Sequence, residues 1–290
     1  MKYVCIKKHV GRFPVTMMCR LLEVSTSGFY AWRSRPASKQ EKRSRRLLVK
    51  IRAIFKRRRQ SYGSPRIWRE LLTDGEVVGL GQVVRLMRED GLRAKQAKKF
   101  KNTTDSNHKL PVAPNILGDM APVSQENEVW VTDITYCWTR MGWLYLAAVM
   151  DLHSRRIVGW ATSARMKTDL ISQALERALA LRGPVSGLVL HSDRGSQYAS
   201  DAYQKQLVDA GLICSMSRKG NCYDNAAMES FWHSLKVEWL YDFDFETRRE
   251  AIFEIEDYID GFYNRERSHS SLGYISPIEF EATAKLEKCA

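Results

Sequence analysis

From residue 128 onward the hydrophobic pattern changes period, and this change restricts the possible folds more than any other feature of the chain. EVWVTDITYCW alternates with a period of two and reads as a strand. Val129, Val131, Asp133 and Thr135 share one face; Trp130, Thr132, Ile134 and Tyr136 share the other. GWLYLAAVMDL and RRIVGWAT read as two further strands, with turns at Gly142 and around Ser154 and Arg155. A helical pattern follows over 167–181. GLVLHSD is a short continuous apolar run, suited to a strand buried on both faces. Residues 199–210 read as helix, LICSMS as a fifth strand, and the segment after it as a helix with Met228, Phe231, Trp232, Leu235 and Trp239 as its core stripe. Three strands followed by strand–helix alternation predict an α/β layer structure.

Before residue 128 the pattern is helical and basic. FPVTMMCRLLEVSTSGFYAWRSRP reads as two short helices around a turn at Val24 and Ser25. Met17, Met18, Leu21 and Leu22 form an apolar stripe on the first. Phe29, Tyr30 and Trp32 lie on the second, and Ser25, Thr26 or Ser27 caps it. This fits a helix-turn-helix, with a plain helical hairpin as the alternative. Residues 41–59 predict a basic helix with Leu47, Leu48, Ile51, Ile54 and Phe55 on its apolar face; 64–73 and 80–90 predict two more. The expected parts are a helix-turn-helix-like segment over 1–36, a basic helical DNA-binding domain over 41–95, a linker over 96–127, a core over 128–245 and an extension over 246–290.

Charge follows the same division. Residues 1–110 hold 28 Lys and Arg against 8 Asp and Glu, a net of +20, whereas 111–290 hold 18 against 25, a net of −7. A basic front joined to a slightly acidic back predicts a polyanion-binding module attached to a separate catalytic one. Arg57, Arg58, Arg59, Arg66, Arg85 and Arg88 are the candidate phosphate contacts in the front half, with Arg93 and Lys95 beside them. No run approaches the ~18 apolar residues of a membrane span, and the N-terminus lacks a secretory pattern, so a cytoplasmic protein is expected. The six cysteines show neither a CxxC pair nor zinc-finger spacing, and reduced thiols are expected.

Three acids in or beside the apolar segments carry the chemistry. Asp133 sits in VWVTDITY, Asp193 in LVLHSDRGSQY and Glu229 in NCYDNAAMESFW; 35 residues separate the last two. A lone carboxylate beside apolar surface is unfavourable, and three together repel unless cations lie between them. A strand acid, a strand-end acid and a helix acid would supply oxygen ligands to Mg²⁺ or Mn²⁺. Two such ions about 3.5–4 Å apart suit in-line phosphoryl displacement.

With these residues in view, VTDITY, LHSDRGSQY, SRKGNCYDNAAMESFWHSLKVE and YNRERSHSSLGYISPIEF resemble the downstream-frame (orfB) product of transposases of the insertion-sequence three family. MCRLLEVSTSGFYAWRSRP, YGSPRIWREL and VVRLMREDGLRA extend the resemblance over nearly the whole chain. It implies an RNase H-like, retroviral-integrase-like core with a mixed five-stranded sheet and a D-D-(35)-E triad. It further implies that Asp133, Asp193 and Glu229 hold two Mg²⁺ or Mn²⁺ ions and that Lys236, seven residues past Glu229, contacts the DNA end. The implied reaction is cleavage at the ends of a mobile element and strand transfer of the freed 3′-OH. The implied partners are double-stranded DNA (terminal inverted repeats and target), the upstream-frame (orfA) product, and further copies of the chain on DNA. The zinc-binding domain of retroviral integrases has no counterpart, so no zinc is expected. A catalytically silent regulator and a nuclease without joining activity are the competing readings.

Smaller candidates surround the triad. His191 is either a packed strand histidine or a neighbour of the site, and Ser196, Gln197 and Tyr198 lie in a loop where they could meet the scissile strand. Asn221, Asp224 and Asn225 are expected to shape the start of the Glu229 helix, with Asp224 or Asn225 as its cap, or else to contact the DNA, Asn225 being also a candidate neighbour of the site. Asp151 ends a strand and is expected to serve its turn. In YNRERSHSSLGY, bases could stack on Tyr263 while Arg265 and Arg267 bind phosphates, or the segment is a structural hairpin.

Overall fold

A computed structural model describes residues 2–96, 111–183, 186–218 and 225–289. The chain forms two compact units, residues 1–53 and 54–290.

In the first unit, α1 (Lys2–His9), α2 (Val15–Leu21) and α3 (Thr26–Ser34) are followed by α4 (Lys39–Arg57), which continues past the unit boundary. Ser25 caps α3, its hydroxyl accepting from the Gly28 N–H at 2.9 Å. Ile6, Met18, Cys19 and Phe29 form the small core. The expected stripe on α2 is thus shifted: Met17 and Leu21 face solvent and Cys19 faces in. Seven residues make barely two turns, too short for periodicity to fix the buried side.

The second unit opens with α5 (Ser64–Thr73) and α6 (Leu80–Glu89), close to the expected helices. Pro65 sits in the first turn of α5, where its missing N–H is harmless. A five-stranded sheet follows: β1 (Val129–Thr139), β2 (Gly142–Asp151), β3 (Ile157–Ser163), β4 (Val189–Ser192) and β5 (Ile213–Met216). The spatial order is β3-β2-β1-β4-β5, antiparallel across the first three and parallel across β1-β4-β5. The sheet is therefore mixed, and the strand–helix alternation read from the sequence is its parallel half.

Helices cover both faces. α7 (Thr168–Arg182) and α8 (Asp201–Asp209) pack with Trp130, Ala147, Val149 and Leu190 on one side. α9 (Ala226–Glu238) and α10 (Arg248–Glu256) pack with Val131, Leu146, Ala148 and Met150 on the other. Gly159 lets β3 and α7 approach closely, since a Cβ there would meet Ala174 O and the Ala178 backbone. A π-helical stretch over Asp257–Tyr263 and α11 (Pro277–Cys289) finish the chain.

Part of the expected linker is fastened to the sheet. Within 111–127, the Ile116 N–H donates to Ser215 Oγ at 2.9 Å, and Pro114 O accepts from the Met216 N–H at 3.3 Å. The C-terminal segment closes the open edge of β3: Ile157 N–H donates to Asn264 Oδ1 and Asn264 Nδ2 donates back to Ile157 O, both at 3.0 Å.

Candidate active site

The register of the central strands puts two of the acids side by side. β1 and β4 pair in parallel with Val131 opposite His191. Two residues further along each chain stand Asp133, within β1, and Asp193, just past the end of β4 and near enough for its charge to act on Asp133. β1 continues beyond this point, whereas β4 ends at Ser192. Asp193 consequently opens the loop at the carboxyl end of its strand, where ligands gather in α/β sheets. The Gly195 N–H donates to Asp193 Oδ1 at 2.9 Å and folds this loop back on the carboxylate.

Asp133 is half-buried, and its side chain lies on the α9 face of the sheet. Oδ1 accepts from its neighbour's N–H on Ile134 at 2.8 Å, and Oδ2 accepts from the Trp232 indole N–H at 3.0 Å. Burial first, and then the charge of Asp193, push its carboxyl up to about 7, with Glu229 adding to the push. The two N–H donors act in the opposite direction by favouring the anion.

α9 brings the third acid and the lysine. Met228, Phe231, Trp232 and Leu235 are buried against the sheet, as their helical spacing predicts. Glu229, one step round from Met228, is exposed in the first turn. It acts on Asp133 through its charge, yet among the described residues no three His, Cys, Asp or Glu side chains are gathered into a ready cluster for an ion. The three acids thus share one locus without closing on it, and Glu229 stands out toward solvent. Lys236, two turns along, places Nζ 5.1 Å from the ring centroid of Tyr136 on β1; burial lowers its pKa. Asn225 stands at the start of α9, but its side chain makes no capping hydrogen bond, so it is not the cap of the two candidates. Asn221 and Asp224 lie outside the described residues.

The lesser candidates divide. His191 is fully buried, its Nδ1 2.9 Å from Ser215 Oγ, which is the packed strand position. Tyr198 is also buried, with its hydroxyl 3.3 Å from Thr132 Oγ1, so it does not reach a bound strand. Burial and the nearby charges of Asp133 and Asp193 hold its phenol neutral. Ser196 is exposed and Gln197 half-exposed on the same loop. Asp151 serves its turn, accepting from the N–H groups of Asn127, His153 and Ser154. Periodicity places Trp232 only in the core. The signal for its second role is chemical: a buried indole N–H needs an acceptor.

Two integrase core models match residues 123–222 and 210–277, and an HTH-like domain model matches 42–100. The transposase InsF for insertion sequence IS3 of Escherichia coli is 44% identical over 284 residues, covering 97% of this chain and 98% of that protein. The chain belongs to this insertion-sequence transposase family. An uncharacterized 31 kDa protein of insertion element IS600 from Shigella sonnei is 47% identical over 91% of this chain and 97% of its own length. The crystallised catalytic core domain of BIV integrase superposes with a TM-score of 0.41 at 15% identity, covering 57% of this chain and 99% of that domain. By its HTH-like and integrase core domains, the transposase is a DNA-binding polynucleotidyl transferase, and its integrase core implies use of a divalent metal. No helix among the described residues is long and apolar enough to cross a membrane.

The structure changes the roles of several arginines of the transposase. Arg267 is buried between Glu238 and Ser234 and cannot bind phosphate: Nε donates to Glu238 Oε2 at 2.7 Å, and Nη2 to Glu238 Oε1 at 2.7 Å and Ser234 Oγ at 2.9 Å. Burial opposes its charge, but Glu238 prevails and the pKa is raised. Arg66 lies 3.4 Å from the same carboxylate. Arg58 bridges Glu70 at 2.6 Å and Glu266 at 2.7 Å. Arg59 pairs with Asp242 at 3.4 Å and lies over Trp239 at 3.9 Å. Sequence alone counts these as free cations because their acidic partners are up to 208 positions away. Arg57 pairs with Glu70 and Arg85 with Glu89 while still exposed, and Arg88 and Arg265 are exposed. Tyr263 is buried, so it offers no face to a base.

Proposed function

We propose that the protein cleaves the ends of an insertion sequence and transfers the freed 3′-OH to target DNA, with Asp133, Asp193 and Glu229 as metal ligands. The observation that carries this reading is the placement of Asp133 on β1 and Asp193 just past the end of β4, beneath the helix that bears Glu229 and Lys236. The residues fit the ions: the donors are all carboxylate oxygens, and Asp133 carries a charge its neighbours disfavour, which a divalent cation relieves. Two Mg²⁺ or Mn²⁺ ions, when bound, supply activation of the attacking oxygen and charge stabilisation of the leaving one. Trp232 orients Asp133 by its hydrogen bond, and Gly195 fixes Asp193. Lys236 holds a backbone phosphate beside β1. Glu229, exposed in the first turn of α9, would supply the third carboxylate to the ions.

Arg57, Arg85, Arg88 and Arg265 are the exposed arginines that contact phosphates. The terminal inverted repeats and the target are double-stranded DNA, the upstream-frame product supplies further end recognition, and at least two copies act together, since two ends are joined. The setting is the bacterial cytoplasm, on the nucleoid.

The test uses purified protein, with and without the upstream-frame product, a labelled element end and Mg²⁺. Joined product that vanishes in Asp193→Ala supports the proposal. Tight binding without cleavage under every condition identifies a silent regulator instead, and hydrolysis without joining identifies a nuclease.

A further inference from the structure

Basic side chains around the α5–α6 pair reach acids that belong to the catalytic core. Arg66, in the first turn of α5, donates to Glu238 at 3.4 Å, and Arg58 donates to Glu266 at 2.7 Å. Arg59 donates to Asp242 at 3.4 Å, and Lys95, just past α6, donates to the same carboxylate. Tyr62 is fully buried, and its hydroxyl accepts from the Ser268 N–H at 2.8 Å. The Lys95 N–H donates to Gln60 O at 2.9 Å, so the entrance and exit of the helix pair are tied to each other where both meet the core. Arg59 and Gln60 make this turn with φ of 50° and 61°. Left-handed backbone without glycine costs about 1–2 kcal/mol per residue and persists only where the surroundings hold it.

Two of these acids mark one place, the end of α9. Glu238 is the last residue of that helix, and Trp239 and Asp242 follow it directly. Glu238 is buried and also receives Arg267 and the Tyr258 hydroxyl. A buried ion pair adds little stability over apolar packing of the same volume; its best attested use is to fix one register among several. Glu229 stands nine residues earlier on α9, about 14 Å along the axis. Trp232 fastens the middle of the helix to Asp133. A single helix thus joins the docking point of α5–α6 to the acids.

The spacing of DNA gives this docking its use. Successive phosphates of one strand advance about 3.4 Å along the duplex. To cut one phosphodiester and not its neighbour, the helices that hold the DNA must stand against the acids to better than that distance. A flexible tether of about 14 residues would wander over roughly 20 Å, or some six nucleotides. Fixed ion pairs at the end of α9 remove that freedom.

We propose that Arg66 and Asp242 are positioning residues for the cleavage position: through Glu238, Arg59 and Lys95 they hold the α5–α6 pair in one register with α9. The phosphodiester that is cut then lies at a fixed distance from the DNA held by this pair in the same copy of the chain. The HTH-like match over 42–100 and the exposed Arg85 and Arg88 on α6 make the pair the DNA-holding part. This rests on the strand-transfer reading for the reaction, whereas the docking is testable without DNA.

The experiment uses the full chain with the upstream-frame product, a labelled element end and Mg²⁺, with cleaved strands resolved to the nucleotide. The wild type is expected to cut at one position. Gly-Ser-Gly-Ser inserted between Asn107 and His108 should leave that position unchanged, because the contacts and not the chain length set it. Arg66→Met/Asp242→Asn should spread the cuts over the one or two phosphodiesters on either side, a freedom of about 3–7 Å. Asp242→Asn alone, at a side chain 35% exposed, should spread them in part and serves if the double variant does not fold. Asp242→Glu should keep the single position. In the free protein, the amides of α5 and α6 should exchange with deuterium about tenfold faster in the double variant than in the wild type, while the sheet keeps its protection. An insertion that moves the cut overturns the proposal, as does a double variant that cuts at one position or exchanges like the wild type. No cleavage by any of the proteins refutes the strand-transfer reading alone, and the exchange rates then still decide the docking.

Discussion

Replacing Arg267 with methionine tests the buried network that fastens the C-terminal segment to α9. The guanidinium makes two 2.7 Å bonds to Glu238 and one of 2.9 Å to Ser234, with its side chain only 5% exposed. Removing one partner of such a pair strands the other charge in a dry site, at about 3–5 kcal/mol. Arg66, 3.4 Å from Glu238, and the Tyr258 hydroxyl, 3.2 Å from it, compensate in part, which places the loss near the lower end of that range, ~3 kcal/mol. That is more than a hundredfold in the folding equilibrium, since about 1.4 kcal/mol is tenfold. The melting temperature should fall by roughly 6–12 °C, at ~2–4 °C per kcal/mol for a chain of this size. Thermal and urea melts followed by circular dichroism measure it. Arg267→Met/Glu238→Met should recover more than half of the loss, because neither charge is left alone. The salt dependence of DNA binding should match the wild type, because Arg267 releases no counterion from DNA. An unchanged melt together with a salt slope reduced by about one would refute the reasoning and return Arg267 to the DNA surface.

Three further outcomes follow from the same contacts. Gly159→Ala forces a methyl group against Ala174 O and to 2.6 Å from Ala178 N, so the variant should unfold at least ~1–3 kcal/mol more easily; a melt like the wild type's would show that α7 moves aside freely. His269 is half-buried beside Arg267, and burial followed by the charges of Arg267, Arg66 and Arg155 pushes its pKa down to about 3. Its folded pKa lies below the ordinary value, so it stays neutral from pH 5 to 8; acid protonates the unfolded chain first and withdraws the stability as pH falls below about 6.5. A ring carbon resonance that titrates near pH 6 would contradict this placement. Millimolar Mg²⁺ should raise the melting temperature of the wild type, through binding to the native state alone, and should leave Asp133→Asn/Asp193→Asn unmoved. Equal shifts in both proteins would place the ion elsewhere.

The expected strand and helix order agrees with the structure because strand alternation and helical stripes are local consequences of one buried face. Asp133, Asp193 and Glu229 were also visible in the sequence, since carboxylates beside apolar runs need a reason. Trp232 is evident in the sequence as a core residue, but its acceptor lies 99 positions away. Several arginines mislead in detail for the same reason. Arg58, Arg59, Arg66 and Arg267 look alike as unpaired cations until the fold returns Glu70, Asp242 and Glu238 to them.

Sequence alone determined the alternation from residue 128 and five of the helices before it, and it marked the three acids as candidates, because each depends on residues within a few turns or one strand. Tertiary structure decided the sheet order, which brings Asp133 and Asp193 together, and whether each arginine faces solvent or a buried carboxylate. It also decided that Trp138 and Trp143 remain open at the ribbon tip while Tyr263 is enclosed. Those outcomes depend on which distant segment covers a given face, and a hydrophobic period records only that a face is to be covered, not by what.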